Sequence, residues 1–282
     1  MPQALSSYDL LSEQLAAIAW QAGELLQVMR PQTQMADIKS DGSPVTLADR
    51  ESEKIILDKL QQNWPDIPVL SEESGGTIKR DAPFFMVDPL DGTRDYIRPE
   101  GEYTVNISLI INCRPVSSVI AAPEAKRIWI AGDHARTAHI ISKNSSAFTS
   151  PDEKIDWKII KTRKLPAEGG IALISRRRND NRAEKIITLL PVKEKRTASS
   201  AIKFCWLAEG KADFYIRCRP TMEWDTAAGG HILEKAGGVL FGFQHCEFLY
   251  GRHEKHYLNG AFAALGDPSF KDEIILPEAA DP

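Results

Sequence analysis

Asp88 and Asp91 stand three positions apart in VDPLDGTRDY, residues 87–96, with a proline between them and no cation before Arg94. Two carboxylates on so short a turn repel and raise each other's pKa unless a shared proton, an arginine or a divalent cation neutralises them. An all-oxygen donor set suits Mg²⁺, with Mn²⁺ as the alternative. Other carboxylates stand in comparable places: Glu72 in SEES (71–74), Asp225 in MEWDTAAGG (222–230), and Asp49 three residues after Thr46. Each has an ordinary structural reading as well. Asp88 reads as a turn residue, Asp91 as a helix cap, Asp225 as an N-cap, Asp49 as half of a capping box, and Glu72 and Glu73 as solvated loop charges.

The flanking pattern tells which elements must carry these groups. FFMV (84–87) predicts a buried strand ending at Asp88, where Pro89 favours extended backbone and removes a donor. Gly92 and Thr93 can open a helix, whose N–H groups and dipole would face the carboxylates. Leu11, Leu15, Ile18, Ala22, Leu25, Leu26 and Met29 recur at helical spacing over residues 8–30, stopped by Pro31. A second helix is expected over 47–62, with Ile55, Ile56, Leu57 and Leu60 inward. IPVL (67–70), FFMV, YTVNISLII (103–111), VSSVIAAP (116–123) and RIWIAGD (127–133) predict neighbouring strands of one sheet. The charged stretch 149–168 marks the boundary; IALIS, a helix near 185 and DFYIRC then suggest a second α/β unit. A small-residue helix over 226–236 ends at Gly237 and Gly238.

Composition limits the function. A chain of 282 residues, 43% hydrophobic and 26% charged, can bury a substantial core in one or two domains. Its net charge of −4 argues against a binder of nucleic-acid polymers, which needs a basic footprint, and there is no aromatic platform to suggest an RNA module. With no apolar run of about eighteen residues and no leader-like start, neither a transmembrane segment nor a signal peptide is expected. The working compartment reads as cytoplasmic, either free or peripheral at the inner membrane. Cys113, Cys205, Cys218 and Cys246 are too scattered for a thiolate site and read as reduced and mostly buried.

Together, SDGSPVTLADRESE, SEES, VDPLDGT, EYTVNISLI and EWDTAAGGHILEKAGG resemble, in order and spacing, the inositol monophosphatase superfamily of Mg²⁺-dependent, lithium-sensitive phosphatases, over residues 8–265. DGSPVT, GEYTVN, SSAIKFCWLAEGKADFYIR and EWDTAAG are most similar to its bacterial 3'(2'),5'-bisphosphate nucleotidases, the CysQ type, which act in sulfur metabolism. The resemblance implies an α+β fold, a layered αβαβα sandwich. Its N-terminal half, 1–155, would carry most metal ligands; its C-terminal half, 156–282, would carry Asp225 and the substrate contacts. Glu72, Asp88, Asp91, Asp225 and the Leu90 carbonyl would hold two or three Mg²⁺ ions. Glu72, Thr93 and Asp49 would be catalytic, with Glu72 and Thr93 orienting the attacking water. Gly92, Thr93, Ser200, Lys203, Arg217 and Asp225 would bind substrate, implied to be adenosine 3',5'-bisphosphate. The protein would be a monomer or a homodimer. One departure concerns specificity: Arg178 stands where these nucleotidases usually carry a histidine, in SRRR, 175–178, a run that otherwise reads as a solvated face.

Three alternatives compete. Inositol-phosphate or sugar-phosphate hydrolysis shares the metal chemistry. The haloacid-dehalogenase pattern D-x-D-G-T places its aspartates two apart, not three. A catalytically inactive binding protein would be expected to lose a ligand, whereas every acidic position here is filled.

Overall fold

The computed structural model describes residues 7–30, 37–38, 44–98, 101–140, 148, 155–176 and 180–278. Arg177, Arg178 and the 149–154 part of the expected boundary lie outside them. The helical periodicity at the start produces helix Ser7–Met29, whose Leu15, Ile18, Ala22 and Leu26 are buried. Helix Leu47–Asn63 follows, opened by the expected capping box: Thr46 Oγ1 accepts from the Ala48 N–H at 3.1 Å, and Asp49 Oδ2 accepts from the Thr46 N–H at 2.7 Å. Its inner face differs from the expectation. Ile56 and Leu60 are buried, but Ile55 and Leu57 only partly so, and the first two turns bury Asp49, Ser52 and Glu53. Buried polar groups on a helix need partners, and these find theirs in the site described below.

The five predicted strands form one seven-stranded sheet together with two that were not expected, Ala135–His139 and Lys158–Ile159, in the order Val69–Ser71, Phe84–Asp91, Thr104–Ile111, Arg114–Ala122, Arg127–Ala131, Ala135–His139 and Lys158–Ile159. The first pair is parallel and the rest antiparallel. Strand alternation divides its faces. Val105, Ile107 and Leu109 pack with Val119, Ile128 and Ile130 against the first two helices. Ile120, Ala122 and Trp129 face the other way, onto helices Ile202–Ala208 and Ala227–Lys235. The last strand, Lys158–Ile159, lies beyond the expected 155/156 division yet pairs with this sheet.

A second sheet has the order Val192–Ala198, Gly170–Ser175, Phe214–Arg217, Phe262–Leu265, Val239–Gly242. Ile171, Leu173, Tyr215 and Phe262 cover the inner helix pair through Phe204, Leu207 and Leu233, while Ala172, Phe214, Ile216 and Leu265 meet helix Asn181–Ile187 outside. The layers therefore run helix, sheet, helix, sheet, helix, an αβαβα sandwich. Its middle layer fits because it is built of small residues. A Cβ on Gly229 would come within 2.3 Å of Phe204 Cδ2, and one on Gly230 within 2.5 Å of Leu240 Cδ2. All four cysteines are free, but only Cys205 and Cys218 are buried; Cys246 is exposed and Cys113 intermediate. Among the described residues, no helix is long and apolar enough to cross a membrane.

Candidate active site

The spacing of Asp88 and Asp91 is explained by a bulge. Strand Phe84–Asp91 does not end at Asp88 as expected but continues to Asp91, and its register against Thr104–Ile111 slips in between: Asp88 pairs with Asn106 and Asp91 with Thr104. Three steps on one strand oppose two on the other. Residues three apart on a regular strand point to opposite faces, and one extra residue returns them to the same face. Pro89, with no N–H to offer a ladder, sits at the bulge, where proline is tolerated. Ser52 Oγ donates to the Pro89 carbonyl at 2.7 Å, which fixes the bulge to helix Leu47–Asn63. Glu53 on the same helix accepts from the N–H and hydroxyl of Ser74, fixing the loop that carries Glu72.

Leu70 lies opposite Met86 and Asp88 opposite Asn106, so alternation places Glu72, Asp88 and Asn106 side by side on one face. Above that face lies Asp225, which was expected to cap a helix. It does not: it closes the 3₁₀ turn Glu223–Asp225, and the following helix Ala227–Lys235 has Thr226 at its N-cap. Asp225 Oδ2 accepts from the Met222 N–H at 3.2 Å and from the Thr221 hydroxyl. The turn is held from behind by fully buried Glu223, which takes the N–H groups of Gly251 and Arg252 and pairs with the Arg252 guanidinium at 2.8 Å. Arg252 also bonds Asn259, whose amide donates to Thr226 Oγ1 at 2.8 Å.

One ligand atom each from Asp88, Asp91 and Asp225 lies within 4.8 Å of the others. Burial, then the Glu72, Asp91 and Asp225 carboxylates, hold Asp88 well above the usual carboxylate range, and Glu72 is hydrogen-bonded to it. Asp91 is pushed up to about 7 by burial and by Asp225, against the opposing pull of Lys203, the Ala201 N–H and Arg217. Asp88 Oδ1 accepts from the Leu90 N–H at 3.1 Å, and its carboxylate is packed among those of Glu72, Asp91 and Asp225. Buried carboxylate oxygens crowded against other carboxylates are the donor set that a hard divalent cation satisfies.

Thr93 Oγ1 donates to Asp49 Oδ1 at 2.9 Å and lies 3.3 Å from the Leu90 carbonyl. The helix that Gly92 and Thr93 open is a single turn, Thr93–Tyr96, so its dipole adds little. Gly92 has φ +97°, and a Cβ there would stand 3.1 Å from the Glu102 carbonyl oxygen and 3.5 Å from Ser200 Cβ. A pocket of about 390 Å³, in the range of small-molecule sites, is lined by Glu72, Asp91 and Asp225 and also by Ser200, Lys203 and Arg217. Lys203 and Arg217 are no solvated surface pair. Lys203 is buried, with Nζ 2.8 Å from the Ser200 carbonyl and 5.1 Å from the Tyr215 ring centroid. Arg217 donates through Nε to the Arg219 carbonyl and through Nη2 to that of Pro220. Ser200 has φ +52°, and its buried hydroxyl has no partner among the described residues.

Sequence reasoning did not single out Ser52, Glu53, Glu102, Asn106 or the Glu223–Arg252–Asn259 set, and it met Arg176 only as part of the SRRR run, read as a solvated face or as favouring a more anionic substrate. Asn106 had a signal, since it lies within EYTVNISLI at the parity of the acidic face; both polar atoms of its carboxamide are buried without partners among the described residues. The Glu223 set joins residues up to 36 positions apart, from 223 to 259, and no local pattern exposes it.

A model of the inositol monophosphatase family matches residues 8–275. The 3'(2'),5'-bisphosphate nucleotidase CysQ of Escherichia coli K12 is 33% identical over 255 residues, covering 89% of this chain and 97% of the relative; that of Salmonella typhimurium is 35% identical with the same coverage. The crystal structure of CysQ from Bacteroides thetaiotaomicron, described as a bacterial member of the inositol monophosphatase family, superposes with a TM-score of 0.72 at 32% identity, covering 93% of this chain and 98% of that one. The IMPase of Thermotoga maritima shares the fold, with a TM-score of 0.73 at 19% identity, covering 92% and 93%. With the bulged aspartate pair, the layered sandwich and a match along nearly its whole length, the chain belongs to the inositol monophosphatase family.

Proposed function

We propose that the protein is a Mg²⁺-dependent 3'(2'),5'-bisphosphate nucleotidase that hydrolyses adenosine 3',5'-bisphosphate to AMP and phosphate. The observation that carries this reading is one pocket lined both by crowded carboxylates and by two held cations, Lys203 and Arg217. The names of the relatives that match along nearly their full length agree with it. Glu72, Asp88, Asp91, Asp225 and the Leu90 carbonyl are the groups that would hold Mg²⁺. When bound, such ions activate water and stabilise the leaving oxygen of a phosphate ester. Thr93 has given its hydroxyl hydrogen to Asp49, so its oxygen is left to accept one from a water molecule. A proton passed to Thr93 is then matched by one moving from Thr93 to Asp49, and Glu72 orients the same water from the turn that follows strand Val69–Ser71. Gly92, lacking a side chain, lets the scissile phosphate lie against the backbone. Lys203, Arg217 and the Ser200 hydroxyl draw in the second phosphate.

The test is kcat/KM for adenosine 3',5'-bisphosphate, 3'-AMP and inositol 1-phosphate, on the wild type and on Arg217→Ala. The wild type should prefer the bisphosphate. Losing a charge-assisted contact costs about 1.5–3 kcal/mol, so the mutant should lose roughly ten- to a hundredfold on the bisphosphate and much less on 3'-AMP. A wild-type preference for inositol 1-phosphate would overturn the nucleotidase assignment and leave a metal-dependent phosphatase of another specificity.

A further inference from the structure

Lys203 and Arg217 are not the only cations that line the pocket, and much of their donor capacity is already spent. Lys203 directs Nζ to the carbonyls of Ser200 and Ala198, at 2.8 and 3.4 Å, using two of its three N–H groups. Arg217 gives Nε and Nη2 to main-chain carbonyls. Both act on the near carboxylates, since each lowers the pKa of Asp91.

Arg176 stands differently. It follows strand Gly170–Ser175, lines the same pocket, and its side chain is 42% exposed. Its guanidinium Nη2 lies 3.3 Å from Glu102 Oε2, and that same oxygen accepts the Ser199 N–H at 2.9 Å. Glu102 thus ties together two separate stretches, 175–176 and 199–200, that form one wall of the pocket. The hydroxyls of Ser199 and Ser200 are buried there with no partner among the described residues. A carboxylate cannot itself bind an anion, but one that holds a guanidinium fork and a turn with unpartnered hydroxyls prepares a surface made of donors. Gly92, next to Asp91, lies under the same wall, close to Ser200 Cβ and the Glu102 carbonyl.

We propose that Arg176 is a specificity-determining residue, held by Glu102 as its positioning residue, which binds the phosphate that is not cleaved. Arg176 rotates its free N–H groups onto that phosphate's oxygens while Glu102 keeps hold of the guanidinium from behind; the Ser199 and Ser200 hydroxyls complete the contact. The inference rests on the bisphosphate reading above and adds Arg176 to the groups that hold the second phosphate.

The experiment compares wild type, Arg176→Ala and Arg176→Lys at saturating Mg²⁺ on adenosine 3',5'-bisphosphate and on 3'-AMP, with 5'-AMP as competitive inhibitor of 3'-AMP hydrolysis. In Arg176→Ala, KM for the bisphosphate and the inhibition constant of 5'-AMP should both rise roughly tenfold or more, with kcat and the 3'-AMP reaction changed less than about threefold. Arg176→Lys should recover only part of the loss, because an ammonium replaces the fork by a point charge. The melting temperature should not move, as expected for a half-exposed side chain. Equal losses on both substrates, or unchanged binding of the bisphosphate and 5'-AMP, would overturn the role of Arg176. A wild type that ignores the bisphosphate would instead overturn the functional reading, so the two failures are distinct.

Discussion

Asp91→Asn should make the metal-free protein more stable while destroying its response to Mg²⁺. The Asp91 carboxyl titrates near pH 7 in the folded protein against an ordinary value of 3.8, because it is buried and faces Asp225. A folded pKa above the unfolded one means that the native state holds the proton more tightly. Stability from this group is therefore full below about pH 4 and is lost as the pH rises through 7. At about 1.4 kcal/mol per pH unit, the interval from 3.8 to about 7 corresponds to a cost on the order of 4 kcal/mol at pH 8. Asparagine carries no charge to pay that cost, and its carbonyl can still accept the Ala201 N–H that Asp91 accepts. Thermal melts in EDTA at pH 8 and pH 4.5 read the effect. For a chain of this size about 2–4 °C accompanies each kcal/mol, so the mutant should melt several degrees higher at pH 8 and nearly level with wild type at pH 4.5. Adding Mg²⁺ should raise the wild-type melting temperature and leave the mutant's almost unchanged. A mutant that melts lower than wild type in EDTA at pH 8, or gains equally at both pH values, would refute carboxylate crowding. An undiminished Mg²⁺ response would refute Asp91 as a ligand.

The remaining expectations are briefer. Asp225→Asn should reduce kcat by more than about a hundredfold with an unchanged far-UV spectrum, since an amide is a poor ligand for Mg²⁺; near-wild-type turnover at saturating Mg²⁺ would remove Asp225 from the ligand set. Li⁺ should inhibit at concentrations where Na⁺ at matched ionic strength does not, as the family resemblance implies, and equal responses would count against it. Gly229→Ala should lower the urea midpoint by an amount corresponding to about 1–3 kcal/mol, because its Cβ would press within 2.3 Å of Phe204 Cδ2; an unchanged midpoint would mean that the middle helices are not packed so closely.

What was legible in the sequence is what local pattern encodes. Helical spacing fixed the helix Ser7–Met29, and the Thr46–Asp49 pair marked the start of the next helix to the residue. Alternation in YTVNISLII and its neighbours marked strands that do lie side by side. The strand Val192–Ala198 escaped because VKEKRTA is mostly exposed, at the edge of the second sheet, and its charges hide the period. Helix Leu47–Asn63 misled in a different way: its inward face begins with Asp49, Ser52 and Glu53, polar residues whose partners are Thr93, Pro89 and Ser74. A hydrophobicity pattern cannot show that, since the groups are buried for what they bond. The acidic positions were visible as residues, and the bulge that aligns Asp88 with Asp91 was not, because it exists only in the pairing with Thr104 and Asn106.

The same contacts explain how a cluster so costly to assemble can exist before any cation arrives. Three carboxylates meet within 4.8 Å, and nothing in their mutual electrostatics favours it. Each is instead fixed by bonds to groups outside the cluster. Asp88 and Asp91 are carried by a bulge that Ser52 holds through the Pro89 carbonyl, and Asp225 by a turn that Glu223, Arg252 and Asn259 hold from behind. Asp49 is bound twice by Thr46 before it receives the Thr93 hydroxyl. These bonds hold the backbone and the turns that carry the carboxylates, so a cation bound there would relieve repulsion among groups that the fold itself brings together. Its affinity would grow by the amount of repulsion removed, and the same bonds would set the geometry at a reacting phosphate.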